Sequence, residues 1–147
     1  MRRIVDRAIS ETAPIDRQAL PGALIHADLT KGNVLIGPDG EVTVLDFGVA
    51  NRFPRVQELA VIAANLTHGA PDPLPARIEA IAAMYSAAAP VPLTGAEHDA
   101  LRAFGLAAAA MELLGALSEW QSGNHRPETA YLIGLGTAGL RDYLTAS

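Results

Sequence analysis

The sequence predicts an α+β fold in which a small β part precedes a mainly helical body. Short runs rich in β-branched and aliphatic residues occur early in the chain. After Phe53-Pro54 the hydrophobic period changes from two to about 3.6 residues and stays there, which is typical of helices. The 147 residues, of which 50% are apolar, fit one domain with a sizeable buried core.

The N-terminal third is predicted to contain one helix and a few short strands. Over residues 3–13, apolar side chains recur at steps of three and four, and Pro14 ends this amphipathic helix. Three strands are predicted after it, at Ala23–Ile25, Val34–Ile36 and Glu41–Leu45. The last two flank Gly37-Pro38-Asp39-Gly40, whose residue types favour a tight reversal, so they predict a β-hairpin.

The rest of the chain is predicted to be helical. Helices are expected at roughly residues 56–67, 75–88, 94–120 and 127–145, with proline-bearing loops between them. Thr94 followed by Glu97 fits a capping box, in which each side chain bonds the other residue's backbone amide. The many alanines raise helix propensity and allow helices to pack closely.

The composition argues against several classes of protein. A net charge of -5 disfavours a broad basic surface, so no nucleic-acid partner is expected. The absence of cysteine excludes disulfide scaffolds and thiolate metal sites. The longest uninterrupted apolar stretch, Ala103–Met111, is shorter than the ~18 residues of a transmembrane helix, and no signal peptide pattern is visible. No membrane partner is therefore expected, and the expected location is the cytoplasm.

One segment carries the chemistry. It reads H-A-D-L-T-K-G-N at residues 26–33, and D-F-G follows at residues 46–48. Asn33 enters the predicted hairpin and Asp46 leaves it, so the two lie close together. Two oxygen ligands suit Mg²⁺, which completes its shell with waters and substrate phosphates. Asp28 is then free to accept a proton, and the whole spacing is the phosphoryl-transfer pattern H-x-D-x-x-x-x-N followed by D-F-G.

Residues 21–59, with HADLTKGNVLIG, VLDFG and PRVQELA, resemble the catalytic core of the aminoglycoside phosphotransferase family. That family includes choline kinase-like and homoserine kinase-like enzymes. The resemblance implies a protein kinase-like fold, of which this chain would be the mostly helical C-terminal lobe, with the hairpin carrying the catalytic and metal loops. It also implies transfer of a phosphoryl group from ATP, with Mg²⁺, to a hydroxyl of a small molecule such as an antibiotic or a metabolite.

Two departures from the protein kinases favour a small-molecule acceptor over a protein acceptor. The residue after His26 is alanine, where protein kinases carry an arginine, and no A-P-E follows D-F-G. A third feature concerns the family itself. Glu58 occupies the position at which relatives often carry an aspartate that ties the next helix to the catalytic loop.

The resemblance also implies a role for each motif residue. Asp28 corresponds to the catalytic aspartate, which orients and deprotonates the acceptor hydroxyl. Asn33 and Asp46 correspond to the two magnesium ligands and thereby hold the metal–nucleotide complex. His26 corresponds to the motif histidine, which braces the loop near D-F-G and is grouped with the catalytic residues. Lys31 is a candidate to contact the phosphoryl group, the alternative being a solvated side chain.

The nucleotide-clamping elements of a kinase-like fold are absent from the 147 residues. An N-lobe would supply a Gly-rich loop and a strand lysine upstream of His26, and the preceding 25 residues contain neither. The predicted organisation is therefore a single C-lobe domain over residues 1–147. Residues 1–22 form a helix and loop, residues 23–54 the catalytic loop, hairpin and D-F-G, and residues 55–147 the helical body. We expect such a lobe to be inactive by itself.

Two alternatives remain open for the function. One is a truncated, non-catalytic relative that serves as an interaction module. The other is one half of a split kinase, whose ATP clamp comes from an N-lobe partner chain. A split kinase, or a homo-oligomer formed through the same surface, would require an exposed apolar patch beside the catalytic loop.

Two weaker signals receive structural interpretations. Residues 134–139 match G-x-G-x-x-G, but too few residues follow for the acid that a dinucleotide site needs about 20 residues later, so close helix packing is favoured. Glu112, Glu119 and Trp120 share the long predicted helix. They are interpreted as two solvated carboxylates and a core tryptophan, in preference to the lining of a pocket for a cationic acceptor.

Overall fold

Four short strands follow the N-terminal helix in the computed structural model, which describes residues 2–17, 19–66 and 69–145. The elements of this part are α1 (Arg2–Thr12), β1 (Gly22–Ile25), β2 (Val34–Ile36), β3 (Val42–Val44) and β4 (Asn51–Pro54). They form two separate antiparallel ribbons, one of β1 with β4 and one of β2 with β3. The small β part therefore lies where the sequence predicts it.

The ribbon of β2 and β3 is the predicted hairpin. Val34 lies opposite Val44 and Ile36 opposite Val42. Gly40 has a φ of 79°, a left-handed conformation that favours glycine and allows the reversal. Just beyond the paired residues, the Leu45 N–H donates to the Asn33 carbonyl at 2.9 Å. This bond closes the base of the hairpin and brings the entry and exit of the ribbon together.

Strand β4 is not among the strands predicted from the sequence. Residues 51–54 show no apolar alternation and end in a proline, which has no N–H to donate. The strand forms because it pairs with β1, with Ile25 opposite Asn51 and Gly22 opposite Pro54. This pairing brings the chain after D-F-G back alongside the strand that leads into the loop of Asp28 and Asn33.

The helical body contains α2 (Val56–Val61), α3 (Leu74–Ala88), α4 (Gly95–Gln121) and α5 (Pro127–Thr145). Three of these agree with the predicted helices to within about a residue at each end. The helix predicted over residues 56–67 instead changes form, because α2 is followed by a π-helical turn over Ile62–Leu66. Thr67, the last residue of that prediction, lies outside the described residues.

Helix α4 is the central element of the core. It packs against α1, α2, α3 and α5, and its inward side chains include Leu101, Phe104, Leu106 and Leu113. Its length and apolar character would suffice to cross a bilayer, but 56% of its most apolar window is buried inside the fold. Burial against the other helices accounts for that apolar character.

A buried ion pair fixes the start of α2 to the start of α4. The Arg55 guanidinium donates to both carboxylate oxygens of Glu97, at 2.7 and 2.9 Å, and also to the carbonyls of Val91 and Pro92. Burial opposes ionisation of Glu97, but hydrogen bonds from Arg55 and Thr94 outweigh that effect and hold its pKa below the ordinary value. The predicted capping box between Thr94 and Glu97 is confirmed by the same contacts.

The glycines of α5 allow it to lie close to α4. A Cβ atom on Gly136 would come within 2.7 Å of the Leu113 backbone nitrogen, and one on Gly139 within 3.0 Å of the Ala109 Cβ. A Cβ on Gly134 would meet nothing within 4 Å. The interpretation of this glycine motif as close helix packing is confirmed for Gly136 and Gly139, and Gly134 takes no part in it.

These glycines provide a matched pair of variants. Gly136→Ala should lower the free energy of unfolding by about 1–3 kcal/mol, because the new methyl group cannot fit against the α4 backbone. Gly134→Ala should raise it by up to about 1 kcal/mol, because alanine is the better helix former and the site is open. Urea unfolding of both variants measures the difference. Equal effects would contradict the close approach of α5 to α4.

Candidate functional site

The loop between β1 and β2 begins with a residue in an unfavourable backbone conformation. Ala27 has a φ of 68°, in the left-handed region where a residue other than glycine costs about 1–3 kcal/mol. Its N–H donates to the Glu58 Oε2 at 2.8 Å. The carboxylate of Glu58 on α2 thereby holds the loop in place. The hydrogen bond between this helix and the loop is therefore formed by glutamate, at the position where relatives often carry aspartate.

His26 supports the same loop from inside the protein. The side chain is 6% exposed, and its Nε2 donates to the Leu45 carbonyl at 2.7 Å. The Nδ1 accepts the Asp28 N–H at 3.2 Å, which places the ring proton on Nε2. The edge of the Phe47 ring also packs against the imidazole, with 4.7 Å between centroids. His26 therefore connects the loop of Asp28 with the segment that carries D-F-G.

Asp28 and Asn33 are joined by their side chains. The Asn33 Nδ2 donates to the Asp28 Oδ2 at 2.9 Å and to the Asp28 carbonyl at 2.9 Å. Because the amide nitrogen makes these bonds, the amide oxygen of Asn33 remains an acceptor. The second carboxylate oxygen of Asp28 likewise remains an acceptor.

Asp46 follows β3 in a turn of its own. It has a φ of 57°, and its Oδ1 accepts the Gly48 N–H at 3.2 Å. The short side chain of aspartate tolerates the left-handed region better than most residues do. Its second carboxylate oxygen is left without a bond in this turn and is a candidate ligand.

A cavity of about 610 Å³ brings the predicted site residues together. Asp28, Lys31, Asn33 and Asp46 line one wall. His26 does not line it and lies behind the loop. The opposite wall comes from the π-helical turn, α4 and α5, through Asn65, Glu112, Pro127, Glu128, Tyr131, Leu132 and Leu135. The site therefore lies between the β part and the helical body.

Pocket lining was the less favoured interpretation of Glu112, and Asn65 was not predicted as a site residue. Asn65 is 3% exposed, and its Nδ2 donates to the Glu112 Oε1 at 2.8 Å. The interpretation of Glu112 as a solvated carboxylate is therefore wrong. Trp120 is not a core residue either, because it is 38% exposed and packs on His125. Asn65 and Glu112 are polar residues within long apolar helical stretches. This pattern is the signal in the sequence that could have identified them as site residues.

The oxygen atoms at the entrance of the hairpin could hold a cation. Asn33 offers an amide oxygen and Asp46 a carboxylate, both of which suit Mg²⁺. No group of three or more His, Cys, Asp or Glu side chains suited to a metal occurs among residues 2–17, 19–66 and 69–145. The donor set is thus one that leaves several positions for water and phosphate oxygens.

Comparison with protein-family models decides the family. The model of the phosphotransferase enzyme family matches residues 2–103, well over half of the chain. The chain belongs to this family. Comparison with curated proteins and with solved structures finds no match. The matched part of this phosphotransferase family member includes the loop between β1 and β2, the hairpin, Asp46 and Glu58, and it ends within α4 before Glu112.

The helical wall of this family member carries a perturbed carboxylate. Burial raises the pKa of Glu112, the hydrogen bond from Asn65 lowers it, and the negative charge of Asp28 raises it, with a net increase. The charge of Asp28 acts on Glu112 across the cavity. A positively charged group between them would relieve this repulsion.

The raised pKa of Glu112 predicts a pH dependence of stability. The native state holds this proton more tightly than the unfolded state, so stability contributed by Glu112 is lost as pH rises through its native pKa. Glutamine does not ionise, so Glu112→Gln removes this pH-dependent loss of stability. Its free energy of unfolding relative to wild type should therefore increase as pH rises from 4 upward, measured by urea unfolding.

Glu119→Gln on the same helix is the matched control, because Glu119 is exposed and lies outside the cavity. Parallel pH profiles for wild type and Glu112→Gln would contradict the burial of Glu112 beside Asp28.

Proposed function

We propose that this phosphotransferase family member transfers the γ-phosphoryl group of ATP, with Mg²⁺, to a hydroxyl group of a small molecule. One observation carries the proposal. Asp28, Asn33 and Asp46, in the spacing typical of phosphoryl transfer, line a single cavity. The requirement for ATP suits the cytoplasm.

Asp28 is the proposed catalytic base. Its Oδ2 is held by the Asn33 amide, and its backbone N–H by His26, so the carboxylate is oriented before a substrate arrives. Its other oxygen would accept the proton of the acceptor hydroxyl as the hydroxyl oxygen bonds to the γ-phosphorus and the bond between that phosphorus and the departing ADP breaks. Fixed orientation is the main contribution a protein makes to this reaction, because positioning and charge neutralisation supply most of the rate.

Asn33 and Asp46 are the proposed ligands of Mg²⁺. When bound there, the ion would neutralise charge on the phosphate oxygens. The hydrogen bond between the Leu45 N–H and the Asn33 carbonyl keeps the two residues at the base of the same hairpin. Lys31, on the same wall, is proposed to approach the transferred phosphoryl group.

The helical wall is the proposed acceptor site. A volume of about 610 Å³ falls within the range of small-molecule pockets. Glu112 and Glu128 contribute carboxylates to this wall, whereas Tyr131 and Leu132 contribute apolar area. The proposed acceptor is therefore a hydroxyl compound of small size that also carries amino groups.

The nucleotide clamp is proposed to come from a lobe outside these 147 residues, in the same polypeptide or in a partner chain. The hairpin supports this, because its apolar side chains are exposed on both faces of the ribbon. Ile36 is 75% exposed and Phe47 60%, and Leu35 and Val42 are also exposed. A two-stranded ribbon of this kind is marginally stable by itself, and large exposed apolar patches mark interaction surfaces.

The same exposed apolar surface of the hairpin also supports the rival function, a non-catalytic interaction module. The two functions make different demands on the cavity. Phosphoryl transfer requires that the metal–nucleotide complex bind at Asn33 and Asp46, whereas an interaction module requires only the exposed face.

Binding of the metal–nucleotide complex separates the two functions. We expect Asp46→Ala to weaken binding of Mg²⁺·ATP by about tenfold or more, because it removes a charged metal ligand. Isothermal titration calorimetry of the whole chain measures this. Asp39→Ala, in the exposed hairpin turn, is the matched control and should bind as wild type does. Equal binding by all three proteins would refute the metal assignment and favour the interaction module.

The exposed face has its own test. Without a covering lobe, the chain should self-associate through the hairpin, and Ile36→Lys should return it to the monomer by placing charge on the apolar face. Ile9→Lys is the control, since Ile9 is comparably exposed on α1. Sedimentation over a range of concentrations gives the oligomeric state. A chain that stays monomeric throughout would count against this surface.

A further inference from the structure

A second cavity lies behind the catalytic loop, and the proposed reaction does not use it. Its volume is about 300 Å³, and it is more enclosed than the catalytic cavity. Phe53 of β4, Val61 of α2 and Phe104 of α4 form apolar walls, together with Ala107 and Ala108. A volume of this size lies at the lower end of the range for small-molecule sites.

One wall of the cavity runs along α4. Phe104, Ala107, Ala108, Met111 and Glu112 recur at steps of three and four, so they lie on one face of that helix. The rise of about 1.5 Å per residue places Phe104 and Glu112 roughly 12 Å apart along the axis. The small alanines between them leave the space of the cavity.

The two ends of the cavity differ in charge. At the end near Phe104, the Arg17 guanidinium lies 5.4 Å from the centroid of the Phe53 ring and 6.0 Å from that of Phe104. At the other end lie the Glu112 carboxylate and the side chain of Asn65. The Asn65 Oδ1 is buried, and none of the described residues donates a hydrogen bond to it. An unsatisfied buried oxygen costs about 1–3 kcal/mol, so this end lacks a donor.

We propose that this second cavity binds a small, elongated primary amine, with the ammonium group at Glu112 and Asn65 and the apolar body along α4. The ammonium group supplies the donor that the Asn65 oxygen lacks and the positive charge that Glu112 and the neighbouring Asp28 attract. The cation of Arg17 repels a second positive charge, so the apolar end of the ligand points toward Phe53 and Phe104.

This cavity is separate from the catalytic cavity. The two share only Asn65 and Glu112 as lining residues among those the structure describes. Asp28, Asn33 and Asp46 line the first cavity alone, and Ala27 contributes to the second. A ligand in the second cavity would thus lie against the back of the catalytic loop, away from the reacting hydroxyl. Its binding does not depend on the proposed reaction.

Calorimetric titration of the whole chain with n-butylamine, n-hexylamine and n-octylamine tests the proposal. We expect the Kd to fall by about fourfold for each added methylene until the cavity is full, since each buried CH₂ contributes a constant increment. Hexanol and hexanoate have the same apolar body, and we expect a Kd at least about tenfold higher for each of them. Failure of hexylamine to bind, or equal binding of all three headgroups, would overturn the proposal.

Four variants locate the binding site. Ala108→Leu fills the second cavity and should abolish hexylamine binding, and Ala107→Leu serves the same purpose if the first variant unfolds. Glu112→Gln should weaken hexylamine by about tenfold while leaving hexanol unchanged. Asp46→Asn, which lies only in the first cavity, should leave hexylamine binding intact and lose Mg²⁺·ATP binding.

The pattern of results separates this proposal from the proposed function. Hexylamine binding that survives both leucine variants, each shown to be folded by thermal unfolding, would place the amine elsewhere and refute the second site. Loss of hexylamine binding in Asp46→Asn would likewise refute it. Unchanged Mg²⁺·ATP binding in Asp46→Asn would refute the metal assignment alone.

Discussion

The backbone of Ala27 is the constraint on which the site depends. Its left-handed conformation turns the chain so that His26 lies inside the protein and Asp28 lines the cavity. That conformation is unfavourable for alanine, and two short ribbons offer little to stabilise it. The stabilising contacts come from the carboxylate of Glu58 on α2 and from the bond between His26 and the Leu45 carbonyl at the base of the hairpin. Helix α2 and the base of the hairpin therefore position the loop between β1 and β2, and this loop in turn positions Asp28.

Charge in the cavity follows from the same arrangement. Asp28, Asp46, Glu112 and Glu128 place four carboxylates around one space in a chain of net charge -5. Burial raises the pKa of Glu112, and the negative charge of Asp28 adds to this increase. In the proposed reaction, a metal ion at the hairpin and an amino group of the acceptor at the helical wall would offset this negative charge. The proposed reaction thus uses both ends of one negatively charged cavity.

Much of the fold could be predicted because the signals are local. The hairpin is marked by its turn residues, and the start of α4 by the capping box of Thr94 and Glu97. Strand β4 could not be predicted, since it exists only through its pairing with β1. The same distinction holds at the site. The loop motif identified Asp28 and Asn33, whereas Asn65 and Glu112 join them only through the packing of the π-helical turn against α4.

The central claim is that Asn33 and Asp46 bind one cation beside Asp28. Paramagnetic broadening of the backbone amide resonances by Mn²⁺ in place of Mg²⁺ tests it most directly, because the effect falls steeply with distance from the ion. The account predicts that broadening is strongest at residues 28–33 and 46–48 and disappears in Asp46→Ala. Broadening centred on the hairpin turn at residues 37–41, or unchanged by that substitution, would contradict it.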